Sequence, residues 1–305
     1  DHPDIAEKTK QKVKDLAKVM EYEPNGYAVQ LRTRHNNVLG ILVPTINNFF
    51  YDSFIAAVEE DARLHGYSVL IMQSQDDLQI ETNNLNLFRK NMVAGLFASI
   101  SIATEDITPF LKLNELKAPV IFIDRVPVNA VCNKVCLADE ETARMAAEAI
   151  IRKGKKKVLA LFGHPHLSIT QRRLESFQKV FADHSPDSEL EIHFPEHSAP
   201  ARTITLEALS RPVLPDVIFC MGDLILIGVM YAIHEKKMQV PDQIGIISIS
   251  NGMLPGFYDP KITHVETSGY KLGKKSFQQM LSRLHGNETI EEVIVESVLV
   301  EGGSL

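Results

Sequence analysis

The residues that follow the buried, β-rich runs of this chain are mostly neutral hydrogen-bonding types, with two carboxylates among them. They are Thr45, Asn47, Ser74, Ser99, Ser101, Asp124, Gly163–His164, Asp223, Ser250 and Asn251. Hydroxyls and amides both donate and accept, and an ionised carboxylate only accepts, so the set suits a polyhydroxylated or otherwise polar small molecule. A phosphate would call for a different seat. No G-x-G-x-x-G follows the first β-rich run and no G-x-x-x-x-G-K-[ST] occurs, so nucleotide chemistry lacks its usual cradle. No nucleophile, base or metal cluster converges on these positions, and no enzyme, cofactor or metal is expected. His164-Pro165-His166 offers two imidazoles across a proline without an acid or cysteine beside them in sequence, a poor metal site. Plainer roles stand beside each nominee: Asp124 can cap or pair locally, and Asp223 can simply cap the helix that it begins.

Alternating strand and helix patterns must position these side chains. Short β-rich runs at 38–43, 68–72, 93–98, 120–124, 158–162, 189–194, 217–221 and 244–249 alternate with helical patterns. The helices fall at about 50–65, 78–91, 105–115, 140–153, 170–184, 202–210, 223–237 and 270–285. Gly66, Gly154 and Gly286 lie just past three of them, where a left-handed cap is needed. Strands apolar throughout, each followed by a helix, imply parallel sheets covered on both faces and joined by right-handed crossovers. So many units make two doubly wound α/β lobes, with Leu137-Ala138-Asp139 as a crossing point. Ligands of such sheets bind beyond the carboxyl ends of the strands, where the nominees stand.

The N-terminal stretch is different. Val13, Leu16, Ala17 and Met20 recur at i, i+3, i+4 and i+7, one apolar stripe with lysines around it. A Pro24-Asn25 break follows, then a helical segment of about two turns, too short to be stable alone in water. The chain of 305 residues carries a net charge of −7, while its first 35 residues hold seven Lys/Arg against six Asp/Glu. An acidic body argues against nucleic-acid binding there, and the small positive excess at the start has the sign of a DNA-proximal segment. Cys132, Cys136 and Cys220 form neither a disulfide framework nor a C-x-x-C pair, and read as reduced thiols of a cytoplasmic protein. No apolar run approaches a membrane span and no signal peptide leads the sequence, so no membrane partner is expected.

These features together resemble the LacI/GalR family of transcription regulators. Tyr22-Glu23-Pro24-Asn25 stands where that family reads Gly-Tyr-x-Pro-Asn, and Val43-Pro44-Thr45-Ile46-Asn47-Asn48-Phe49-Phe50 resembles its Val-Pro-x-x-x-Asn-Pro-Phe-Phe. Val120 to Arg125 resembles the strand whose terminal Asp binds an effector hydroxyl. Arg173 falls on the effector-binding arginine, and Met221-Gly222-Asp223-Leu224 on Asn-Asp-x-x. Ser250-Asn251 replace the two acids of Ile-Ser-Val-Val-Gly-Phe-Asp-Asp, the largest departure, which puts ordinary sugar recognition in question. The resemblance implies a repressor with a type I periplasmic-binding-protein-like body and an effector site of Thr45, Phe49, Ser101, Asp124, Arg173, Asp223, Ser250 and Asn251. The effector implied is a small polar molecule, sugar or sugar-like.

It further implies a hinge helix in the DNA minor groove, with Leu31 as the wedge, Ala28 against the groove or the partner helix, and Asn25 and Arg32 beside them. A plain linker packing Leu31 on its own body is the alternative. Expected divisions are 1–35 for the DNA-binding remnant and hinge, 36–137 with 264–286 for one lobe, and 138–263 with 287–305 for the other. Two chains should pair through the helices at 50–65 and 78–91, Phe54, Ile55 and Val58 being candidates for the contact. Residues 2–22 resemble the end of the family's DNA-reading domain, so operator binding is expected to need a helix-turn-helix that this sequence does not contain. The competing expectation is a solute-binding receptor of a transporter, which shares the fold.

Overall fold

The computed structural model describes residues 5–22, 36–128 and 131–305, in two units, one ending at Asn37 and one spanning Val38–Leu305. The first unit contributes helix α1 (Glu7–Val19), none of whose residues is buried. Val13, Leu16 and Met20, the apolar stripe, are exposed. The hinge residues Asn25, Ala28, Leu31 and Arg32 lie outside the described residues.

The second unit is built from two six-stranded sheets. One has the order β11-β5-β4-β3-β1-β2, from β1 (Val38–Val43), β2 (Ser68–Gln73), β3 (Gly95–Ala98), β4 (Val120–Ile123), β5 (Asn133–Leu137) and β11 (Glu292–Val295). The other runs β12-β10-β9-β8-β6-β7, from β6 (Lys157–Leu161), β7 (Glu189–His193), β8 (Val217–Cys220), β9 (Gly245–Ser250), β10 (Thr263–Glu266) and β12 (Val298–Val300). All neighbours pair in parallel except β10 and β12. Helices α2 (Phe49–Leu64), α3 (Leu78–Lys90), α4 (Thr108–Glu115) and α9 (Gly269–Leu284) accompany the first sheet. Helices α5 (Asp139–Arg152), α6 (Ser168–His184), α7 (Ser198–Ala208) and α8 (Asp223–Lys236) accompany the second.

The central apolar runs behave as buried parallel strands should, while β2 and β7, at the sheet edges, keep no buried residue. β1, β3, β4 and β8 are buried almost end to end, and their side chains supply both faces of each core. Gly66, Gly154 and Gly286 take positive φ after α2, α5 and α9, as their positions after the helices predict. Four strands escape a reading by hydropathy: β5 opens on Asn133 and Lys134, β10 and β11 are short with polar members, and β12 is only three residues long. Sheet pairing, not local pattern, makes them strands.

These strands correct the lobe boundaries. The chain crosses between sheets at Ala138, between β10 and α9 at 267–268, and between β11 and β12 at 296–297. Residues 264–266 therefore belong with the second lobe, because β10 pairs with β9. Residues 292–295 belong with the first, because β11 pairs with β5. The face of α2 is corrected too. Phe54 and Val58 are fully buried against the sheet, leaving Ile55 as a partly exposed member, while Leu78 and Leu87 are exposed on α3.

Candidate functional site

Between the carboxyl ends of the two sheets lies a cavity of about 350 Å³, lined from both lobes. On the first lobe, Asn48 opens α2: its Oδ1 accepts from Phe50 N–H at 2.9 Å, an N-cap that sets the helix start where the family has proline. That start presents Phe49 and Phe50 to the cavity and carries Tyr51 inward. Tyr51 O–H donates to Asp124 Oδ2 at 2.7 Å and lies 2.9 Å from Ser99 Oγ. Burial first, and the Asp124 charge second, push the Tyr51 phenol well above its ordinary range, so it stays a donor. Asp124 follows β4 with φ 55°, a left-handed turn that an aspartate tolerates and that aims the carboxylate off the strand end. The neighbouring Arg125 Nη1 donates to Asp76 Oδ1 at 2.6 Å.

On the second lobe, Arg173 is 5% exposed yet lines the cavity. Its Nε and Nη2 both sit 2.8 Å from Asp139 Oδ1, and Nη1 reaches the Met221 carbonyl at 3.3 Å. Burial raises the Asp139 carboxyl to about 6, Arg173 opposing and Asp124 adding to the rise. Asp223 begins α8 after β8; its Oδ1 accepts from Ser250 Oγ and its Oδ2 from Asn251 N–H at 3.1 Å. Burial raises Asp223 as well, against those two donors. Asn251 joins the lobes: its Nδ2 donates to Phe49 O at 3.1 Å, while its Oδ1 accepts from Ser53 Oγ at 3.1 Å and Gly269 N–H at 2.9 Å.

Of the residues nominated from sequence, Phe49, Asp124, Arg173, Asp223, Ser250 and Asn251 line this cavity. Thr45 does not; its Oγ1 accepts from Asn47 N–H in the turn before α2. Ser101 does not either. It lines an adjoining cavity of about 330 Å³, where the Glu81 carboxylate ties its backbone N–H at 2.9 Å. Asn251 and Ser250 reach the cavity rim with side chains already hydrogen-bonded within the protein. Missed from sequence were Tyr51, Asp76, Arg125, Glu196 and His197, which also line it. Tyr51 had a signal in its position two residues after Phe49, but only folding shows it turning toward Asp124. Among the described residues no group of three or more His, Cys, Asp or Glu side chains could hold a metal ion. The set can bind hydroxyls and amines through fixed acceptors, and it holds no arrangement for activating a nucleophile.

Comparison with known proteins agrees with this geometry. The periplasmic binding protein-like domain profile matches residues 147–305. The chain is 26% identical to the HTH-type transcriptional repressor PurR of Mannheimia succiniciproducens over 95% of its length and 87% of that protein's. The lac repressor dimer, bound to operator and the anti-inducer ONPF, superposes with a TM-score of 0.86 at 19% identity, over 100% of this chain and 91% of that one. A periplasmic binding protein/LacI transcriptional regulator from Alkaliphilus metalliredigens QYMF, complexed with D-xylulofuranose, gives 0.75 at 20% identity over 88% and 99%. The chain belongs to the periplasmic binding protein-like family, on the side of it occupied by LacI/GalR regulators. Its two-lobed parallel-sheet body is the fold of that family.

Proposed function

We propose that a small polar effector, held between the lobes, controls this protein's grip on DNA. The chain is a ligand-responsive transcriptional repressor of the LacI type, as its repressor relatives support, and not an enzyme. The observation that carries the effector site is the convergence of Asp124, held by buried Tyr51 from one lobe, with Arg173 and Asp223 from the other, on one cavity. A ligand bridging those walls favours one lobe spacing over another, and only that difference in affinity can shift the equilibrium. The hinge residues Asn25, Ala28, Leu31 and Arg32 would meet the minor groove of operator DNA, in a cytoplasmic homodimer whose two hinges move with the lobes. Among the described residues no helix is long and apolar enough to cross a membrane.

Thermal-shift screening against sugars, sugar phosphates and nucleosides, followed by calorimetry, tests the site. A ligand that raises the melting temperature of the wild type should lose roughly tenfold or more in affinity with Asp124→Ala or Arg173→Ala, one removed hydrogen bond to a charged group being enough. Full ligand-induced stabilisation of either variant would take that residue out of the site.

A further inference from the structure

Both guanidinium groups at this cleft are held in ion pairs inside the protein, whereas two of its carboxylates, Asp124 and Asp223, are not. Arg125 holds Asp76 at 2.6 Å, and Arg173 holds Asp139 at 2.8 Å. Among the described residues no ion pair reaches Asp124 or Asp223; the donors on their carboxylates are the Tyr51 and Ser250 hydroxyls and the Asn251 amide. Asp124 is 8% exposed, so water does little to screen it. Glu196 adds a further carboxylate at the wall, with His164 Nε2 3.9 Å from it. Four carboxylates and two guanidinium groups therefore face the cavity, an excess of two negative charges with the imidazoles neutral. The adjoining cavity, which shares Ile102, Arg125 and Leu167 with the first, contributes Glu105 of the same sign.

Buried charge without a partner is unfavourable, and a bound molecule can supply the partner. A neutral sugar satisfies the acceptors with its hydroxyls but leaves the charge excess in place. An ammonium group satisfies both, since it brings three N–H donors and a positive charge to the same spot. A phosphate or carboxylate brings further negative charge to walls whose carboxylates already outnumber the guanidinium groups, each of which is held in an ion pair.

Resting on the effector-site reading above, we propose that the effector is a hydroxylated molecule carrying an amine, an amino sugar or a similar amino polyol, and that the cleft rejects phosphorylated or carboxylated forms of the same ring. The test uses triplets of probes on the full chain at neutral pH and about 50 mM salt, where screening is modest. D-Glucosamine, D-glucose and D-glucose 6-phosphate form one triplet, and the corresponding ribose, galactose and mannose derivatives form others. Within a triplet that binds, the amine should be at least about tenfold tighter than its neutral parent, and the phosphate at least about tenfold weaker. Asp124→Asn, which keeps an acceptor for Tyr51 and suits the left-handed backbone, should shrink the amine's advantage to below about threefold. A phosphate tighter than its parent, or an amine no tighter, overturns the proposal while leaving the receptor reading intact. Absence of binding in every triplet counts against the receptor reading, and the empty protein then decides the charge: a higher melting temperature for Asp124→Asn upholds the excess, a lower one overturns it.

Discussion

At the scale of single residues, the cleft shows how burial sets what a charged group can do. Asp139 and Arg173 form a closed pair beneath the cavity, so Arg173 meets a ligand with its geometry already fixed. The Asp139 carboxyl, raised to about 6 from an ordinary 3.8, binds its proton more tightly folded than unfolded. Its contribution to stability is therefore fully present below pH 3.8 and is lost as the pH rises through 6. Asp139→Asn removes that dependence while keeping a neutral acceptor for Arg173. Urea unfolding of both proteins should show the variant losing ground to the wild type as the pH falls from neutrality toward 4, with no further change on the alkaline side. A variant that gains on the wild type on acidification would mean that the Arg173 charge outweighs burial.

At the scale of elements, close approach decides where helices can sit. Gly228 in α8 faces the start of α7, and a Cβ there would stand 2.1 Å from Ser198 O. Gly228→Ala forces two helices apart and should cost about 1–3 kcal/mol by chemical denaturation. Gly269, the first residue of α9, faces α2 in the same way, with Phe50 O 2.2 Å from its missing Cβ. That contact brings its N–H to Asn251, so the same close packing builds the bond between lobes. Asn251→Ala would strip the Phe49 carbonyl, the Ser53 hydroxyl and the Gly269 N–H of a partner. We expect a loss of about 1–3 kcal/mol in stability and a more open body, read as a larger radius of gyration by small-angle scattering. An unchanged scattering profile would show that the lobes hold their spacing without it.

At the scale of the whole molecule, the proposed response needs two chains, since paired hinges answer to paired half-sites. Leu87, 42% exposed on α3, is an apolar side chain of the kind that an association would cover. Sedimentation at about 10 µM, a concentration at which a Kd near 1 µM gives mostly dimer, should show a two-chain mass that Leu87→Glu reduces to one. A wild type running as a single chain would remove this contact from the account. Effector coupling of about 1–3 kcal/mol, a 5–150-fold change in operator affinity, is all that the lobes then have to transmit.

Much of this was legible before folding. Alternation of apolar runs with helical periods determined two doubly wound lobes, because a strand buried on both faces must be apolar throughout. Strand-end positions then named Asp124, Asp223, Ser250 and Asn251, since parallel sheets open at their carboxyl ends. Hydropathy could not supply β5, β10, β11 and β12, which are short or carry polar residues and become strand only by pairing with their neighbours in the sheets. Nor could it show which charges are free to meet a ligand. Arg125 with Asp76 and Arg173 with Asp139 are ion pairs across 49 and 34 residues, and only the assembled sheets bring each pair within a hydrogen bond.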